Sequence, residues 1–193
     1  MNELECILSK YYMREYLDLF ESKQPKEVTP FKLGYSSDSL APVLSKDAVE
    51  YHSDLARAYG KRYNSGEGDS KFNYAGAFLH PIYFEQLQAP RTGNSPRGEI
   101  LEFINRKFGS VAEFKDEFQT AAMGIQGSGW VYLAHSGQIK TIQNHAVKND
   151  ILLLVDWWEH AWAIDYQSDK RKYLANTWKI INWDVISKRL AGE

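Results

Sequence analysis

Cysteine is nearly absent from this chain of 193 residues, Cys6 being the single one. That excludes an internal disulfide and any metal site built from several thiolates. No apolar run approaches the ~20 residues that a membrane-spanning helix requires. Neither charge sign is in surplus: 23 basic against 25 acidic residues leave a formal charge of −2. Such a balance gives no reason to expect nucleic acid or an anionic membrane as partner. A glycine-rich phosphate loop, low-complexity tracts and internal repeats are missing too. Glu3, Glu5 and Glu15 interrupt the first apolar residues. They argue against a secretory leader or an acid-poor transit peptide, so a cytoplasmic location is expected. No tryptophan precedes Trp130, and all six follow from there. The C-terminal half is expected to own the densest core.

What is present concentrates in residues 156–166, DWWEHAWAIDY. They follow the apolar run 151–155, which reads as a short buried strand. Asp156 and His160 are four apart, and in a helical turn that spacing puts both side chains on one face. A carboxylate oxygen and an imidazole nitrogen converging there suit manganese, iron or zinc. Trp157, Trp158 and Trp162 would wall such a site. A hydrogen-bonded Asp–His pair among core tryptophans gives the same pattern. A metal needs three or four protein ligands, so the others must come from elsewhere.

Taken in order, the chain begins with an amphipathic period over 3–23, carried by Leu4, Ile7, Leu8, Tyr11, Tyr12, Tyr16, Leu19 and Phe20. Ser45 is a good N-cap for a helix over 46–63, which places Val49, His52, Leu55, Ala56 and Tyr59 on one face. Residues 64–68, NSGEG, form a turn. A second helix is expected over 73–88, with His80 among its core candidates and a kink or restart at Pro81. Each arm of this antiparallel hairpin then offers one inward histidine. Residues 90–96, PRTGNSP, read as a linker and place the domain boundary. Helices follow over 98–108 and 111–123, split by Gly109 and capped by Ser110. Strands are expected over 130–134, 138–143 and 151–155, the first two joined by a hairpin turn at His135-Ser136-Gly137. Helices over 173–181 and 184–190 close the chain. The fold class is α+β: an N-terminal helical hairpin domain (31–90) after an extension (1–30), then a C-terminal domain (91–193) of helices around a small three-stranded antiparallel sheet.

In these residues the chain resembles the iron/manganese superoxide dismutase family, from about Phe31 onward. DWWEHAW resembles that family's D-x-W-E-H-A signature, and GSGW before a strand is a second match. LAPVLSKDAVEYH and FNYAGAFLH are similar to the segments that end in the first and second metal-binding histidines. YLANTWKIINW is similar to the closing helix. The resemblance implies four metal ligands, His52, His80, Asp156 and His160. They would hold one iron or manganese ion per chain, with iron slightly favoured. It implies superoxide as substrate, converted to dioxygen and hydrogen peroxide. It also implies a homodimer in which Glu159 bridges to the partner subunit's metal histidine. Trp130 and Trp158 match the apolar walls of the site, and Lys170 matches an arginine at the entrance funnel.

The chain also departs from the pattern. The family's solvent-bonding glutamine is replaced: Gly76 stands at the iron-type position and His145 at the manganese-type one. Gly60 stands where a tyrosine is usual, with Tyr59 beside it but about 100° around a helix. Ala56 and Ala163 replace a histidine and a tyrosine that hydrogen-bond across the dimer interface. Losing both together leaves neither unpaired, so a remodelled interface is expected. Two other readings follow. One is a structural or binding protein that keeps the fold. The other is a different metal-dependent redox activity, in a pocket opened by Ala56, Gly60 and Ala163.

Overall fold

The computed structural model describes residues 24–192, and the helix expected over 3–23 lies outside them. Helix α1 (Lys46–Ser65) begins where the Ser45 side chain accepts the Ala48 N–H. Val49, His52, Ala56 and Tyr59 recur every three or four residues, and all are buried. Gly66 ends the helix at φ 69°, a left-handed conformation that glycine adopts without a Cβ clash. Before α1, residue 28 is strapped to its last turn. Val28 N–H donates to Asn64 Oδ1 (2.9 Å), and Asn64 Nδ2 donates to Val28 O (3.0 Å).

Helix α2 (Ser70–Glu85) starts and ends earlier than the apolar period suggested. Asp69 caps it, accepting from the Phe72 N–H at 2.7 Å. At the other end tertiary pairing wins. Leu87 forms a bridge with Ile181, and Gln88 N–H donates to Ile180 O (2.8 Å). The helix runs through Pro81 without the expected restart. Together α1 and α2 form the helical pair read from the sequence.

Helices α3 (Gly98–Phe108) and α4 (Val111–Met123) fall where expected, with Ser110 capping α4. Strands β1 (Gly129–Ala134), β2 (Ile139–Gln143) and β3 (Ile151–Asp156) make an antiparallel sheet in the order β2-β1-β3. Trp130 of β1 stands opposite Asp156 of β3. A Cβ on Gly129 would lie 2.3 Å from Ile142 O, so only glycine permits this approach of β1 to β2. Helices α5 (Glu159–Tyr166), α6 (Lys170–Thr177) and α7 (Trp183–Ala191) complete the chain. Helix α6 corrects the span 173–181. Asp169 caps it through the Lys172 N–H (2.9 Å), and after Thr177 the chain turns to meet the end of α2.

One apolar core runs from the hairpin into the sheet, including Val49, Leu79, Trp130, Leu154 and Tyr173. Strand β3 lies at the sheet edge, and side chains meet its outward backbone groups. Arg189 donates to Leu152 O (3.1 Å), Gln86 pairs with the N–H and C=O of Leu154, and Tyr173 Oη donates to Asp156 O (3.1 Å). None of the described helices is long and apolar enough to cross a membrane.

Candidate metal centre

Four elements each deliver one side chain to a common point: His52 from α1, His80 from α2, Asp156 from the end of β3, His160 from the first turn of α5. Asp156 and His160 do not share a helical turn, as their spacing had suggested. Asp156 is the last strand residue, and Trp157-Trp158 turn the chain before α5 begins. The Trp158 N–H donates to Asp156 Oδ1 (2.8 Å), which occupies one carboxylate oxygen. The other, Oδ2, faces the imidazoles: His52 Nε2 at 3.1 Å, His160 Nε2 at 3.2 Å and His80 Nε2 at 3.9 Å. One ligand atom from each of the four residues lies within 4.8 Å of all the others.

Nε2 of His52 and of His80 is buried and makes no aligned hydrogen bond among the described residues. A buried polar atom left unpaired costs about 1–3 kcal/mol, so two beside a buried carboxylate ask for a cation to satisfy them. The tautomer of His80 fits that role. Its Nδ1 lies 2.7 Å from Gly76 O, which can only accept, so the proton sits on Nδ1 and the Nε2 lone pair faces the centre. Burial lowers the pKa of His52 and of His80, keeping both rings neutral. Burial alone would raise that of Asp156, but the neighbouring His160 and His52 outweigh it and hold the carboxyl below its usual range. Three nitrogens and one anionic oxygen are a donor set for a first-row transition metal.

Around the donors stands an aromatic wall. Trp158 stacks on His145 (4.6 Å between centroids) and on His160 (5.6 Å). Trp130 meets His80 edge-on at 5.1 Å. Tyr59 lies 5.2 Å from His80 and 4.8 Å from His145, and burial pushes its phenol up to about 12. The Trp130 indole can only donate, so its 3.0 Å bond to His145 Nδ1 puts the His145 proton on Nε2. That N–H is buried with no partner among the described residues. Burial drops the His145 pKa to about 4, so the ring is neutral.

A pH dependence follows. The unfolded chain takes up a proton on this imidazole near 6.5, whereas the fold resists until about 4. Stability contributed by neutral His145 is therefore complete above 6.5 and is lost as pH falls toward 4. Metal-free protein is expected to melt at a lower temperature at pH 5 than at pH 7, and His145→Gln to flatten that dependence. Identical slopes in the two proteins would contradict a buried neutral ring.

The remaining expected residues sit further out. Lys170 Nζ lies over the rings of Trp162 (4.8 Å) and Trp157 (5.7 Å). Glu159 is exposed at the start of α5, Ala163 half-buried and Ala56 buried. At Gly60 the position of a side chain borders residue 28, Val28 Cγ2 lying 3.4 Å from where a Cβ would be. Gly76 faces the Tyr59 ring so closely that a Cβ would sit 2.7 Å from its Cγ. Phe72 was not singled out from the sequence. Phe72 contacts His145 (4.7 Å) and Trp158 (6.1 Å), and Phe84 contacts His52 (4.8 Å). Counting back two helical turns from His80 would have found Phe72.

A helical pair and a sheet edge closing three imidazoles and a carboxylate around one point define a candidate mononuclear redox-metal protein. Residues 96–189 match the model of the C-terminal domain of iron/manganese superoxide dismutases. The chain is 35% identical to the Mn/Fe superoxide dismutase of Porphyromonas gingivalis over 185 residues, covering 81% of this chain and 96% of the relative. It is 34% identical to the Fe superoxide dismutase of Bacteroides fragilis over 187 residues, with 82% and 97% covered. Against the Fe superoxide dismutase of Escherichia coli identity is 32% over 193 aligned positions, with 83% and 96% covered. This chain belongs to the iron/manganese superoxide dismutase family.

Proposed function

We propose that the chain disproportionates superoxide, turning two superoxide anions and two protons into dioxygen and hydrogen peroxide. His52, His80, Asp156 and His160 hold one iron or manganese ion. The observation that carries this reading is the convergence of three imidazole nitrogens on a single buried carboxylate oxygen. When bound, the ion supplies one-electron chemistry by alternating between divalent and trivalent states. Iron is favoured, with manganese allowed, since two of the relatives above are named iron enzymes and one Mn/Fe.

The chain's own groups do the rest. One carboxylate offsets only one positive charge, so the centre stays attractive to an anion. The Nε2–H of His145, held in place by Trp130 and by stacking on Trp158, is a donor for a solvent or substrate oxygen. Tyr59 keeps its proton at neutral pH and is a second donor beside the same rings. Trp130 and Trp158 keep bulk water out. Lys170 adds positive charge on the outer face of Trp157 and Trp162 and guides superoxide inward. In the homodimer we propose, exposed Glu159 reaches the metal histidine of a second copy, while Ala56 and Ala163 replace the polar link between subunits.

Metal analysis of the purified chain together with a superoxide-decay assay tests this. Stoichiometric iron or manganese with fast decay is expected. Protein that binds no metal would instead have a structural role, and metal with negligible decay would point to another redox substrate. His160→Ala should lower activity to background and metal content well below one ion per chain.

A further inference from the structure

Gln86 lies six residues beyond His80, at the C-cap of α2, and is fully buried. Its side-chain amide pairs with both backbone groups of Leu154: Nε2 donates to Leu154 O, and Leu154 N–H donates to Oε1 (3.0 Å). Leu154 is two residues before Asp156, on the same face of β3. Arg189 donates to the same Oε1 (3.1 Å), and Asn182 N–H donates to Gln86 O (2.7 Å). The clamp is therefore held from behind as well as in front. Further along, Tyr173 Oη bonds Asp156 O and meets Tyr83 Oη, three residues after His80, at 3.2 Å.

Strand β1 fixes β3 within the sheet, with Trp130 opposite Asp156, but β1 carries no ligand. The distance that matters chemically runs from β3 to the hairpin that carries His52 and His80. Gln86 is where α2 is hydrogen-bonded to β3. A primary amide, with a donor and an acceptor in one plane, can pair with a peptide group as a neighbouring strand would. An apolar side chain of the same length would fill the space but leave a buried N–H and C=O without partners.

We propose that Gln86 is a positioning residue that pairs with the edge of β3 and so sets the spacing of Asp156 from His80. This rests on the reading of His52, His80, Asp156 and His160 as a metal centre. The test uses the full chain stripped of metal and titrated with Mn²⁺, read by affinity and by the Mn²⁺ electron paramagnetic resonance spectrum. Gln86→Met and Gln86→Glu are compared with wild type and with Ile100→Val, a core change on α3. Both Gln86 variants should bind Mn²⁺ about tenfold or more weakly, with an altered spectrum. Ile100→Val should lower the melting temperature and leave affinity and spectrum unchanged. Folded Gln86→Met with wild-type affinity and spectrum would overturn the proposal. Should Gln86→Met fail to fold, Gln86→Glu decides by the same criteria. It keeps the acceptor for Leu154 N–H and Arg189, and sets an acceptor oxygen with negative charge against Leu154 O in place of the donor. Wild type that binds no Mn²⁺ would overturn the metal centre itself, and the role of Gln86 with it.

Discussion

Asp156→Asn is expected to give a folded protein that loses its metal and its superoxide decay together. Oδ2 is the atom on which the imidazoles of His52, His160 and His80 converge, at 3.1, 3.2 and 3.9 Å. Asparagine has the same shape, and its Oδ1 still accepts the Trp158 N–H that turns the chain into α5. The charge goes, and an amide NH2 that cannot bind a metal stands where Oδ2 faced the imidazoles. A unit charge ~4 Å from each unit of ionic charge contributes on the order of 4 kcal/mol at an effective dielectric of ~20. One unit of ionic charge already corresponds to a factor of roughly 10³, so the affinity for a divalent ion should fall by at least that. Without an ion, His160 and His52 still hold the carboxyl below its usual range, so metal-free Asp156→Asn should melt lower than metal-free wild type at neutral pH. Metal content, superoxide decay and paired melts with and without metal read this out. A variant that kept its ion and its activity would remove Asp156 from the donor set.

The second large effect is expected at Gly76. A Cβ there would lie 2.7, 2.9 and 3.0 Å from Cγ, Cδ1 and Cδ2 of the Tyr59 ring. The ring has little freedom to retreat, since it packs on His80 and His145. Gly76→Gln should thus be destabilising by about 1–2 kcal/mol, overpacking outweighing the gain in helix propensity. For a chain of this size that lowers the melting temperature by about 2–8 °C. Removing the ring first should relieve it: Gly76→Gln in a Tyr59→Ala background should cost less than in wild type, a coupling that a double-mutant cycle measures. Strict additivity would mean that the two residues do not compete for space.

The donor set was legible because chemistry and pattern coincided. DWWEHAW holds an acid and a histidine after an apolar strand, and the helical period put His52 and His80 on buried faces. How Asp156 and His160 meet was not legible, since a spacing of four reads as a helical turn and the chain uses a strand end instead. Helix ends were displaced where one cap outweighed the apolar period. Asp69 and Asp169 each start a helix earlier than the hydrophobic residues suggested. Contacts across long separations left no local trace. Val28 over Gly60 and Gln86 against Leu154 are unremarkable letters until the fold brings them together. Gly76 reads as a missing glutamine in the sequence, whereas in the fold it is the space that the Tyr59 ring requires.

The side chains along the outer margin of β3 have a consequence beyond this one molecule. A bare strand at a sheet margin is a template on which a neighbouring chain can add its own. Here Arg189, Gln86 and Tyr173 occupy the acceptors and donors such an intruder would use. They are covalent parts of the chain and do not depart with an ion. Even when stripped of metal in a crowded cell, the strand that ends in Asp156 offers no adhesive row to seed aggregation.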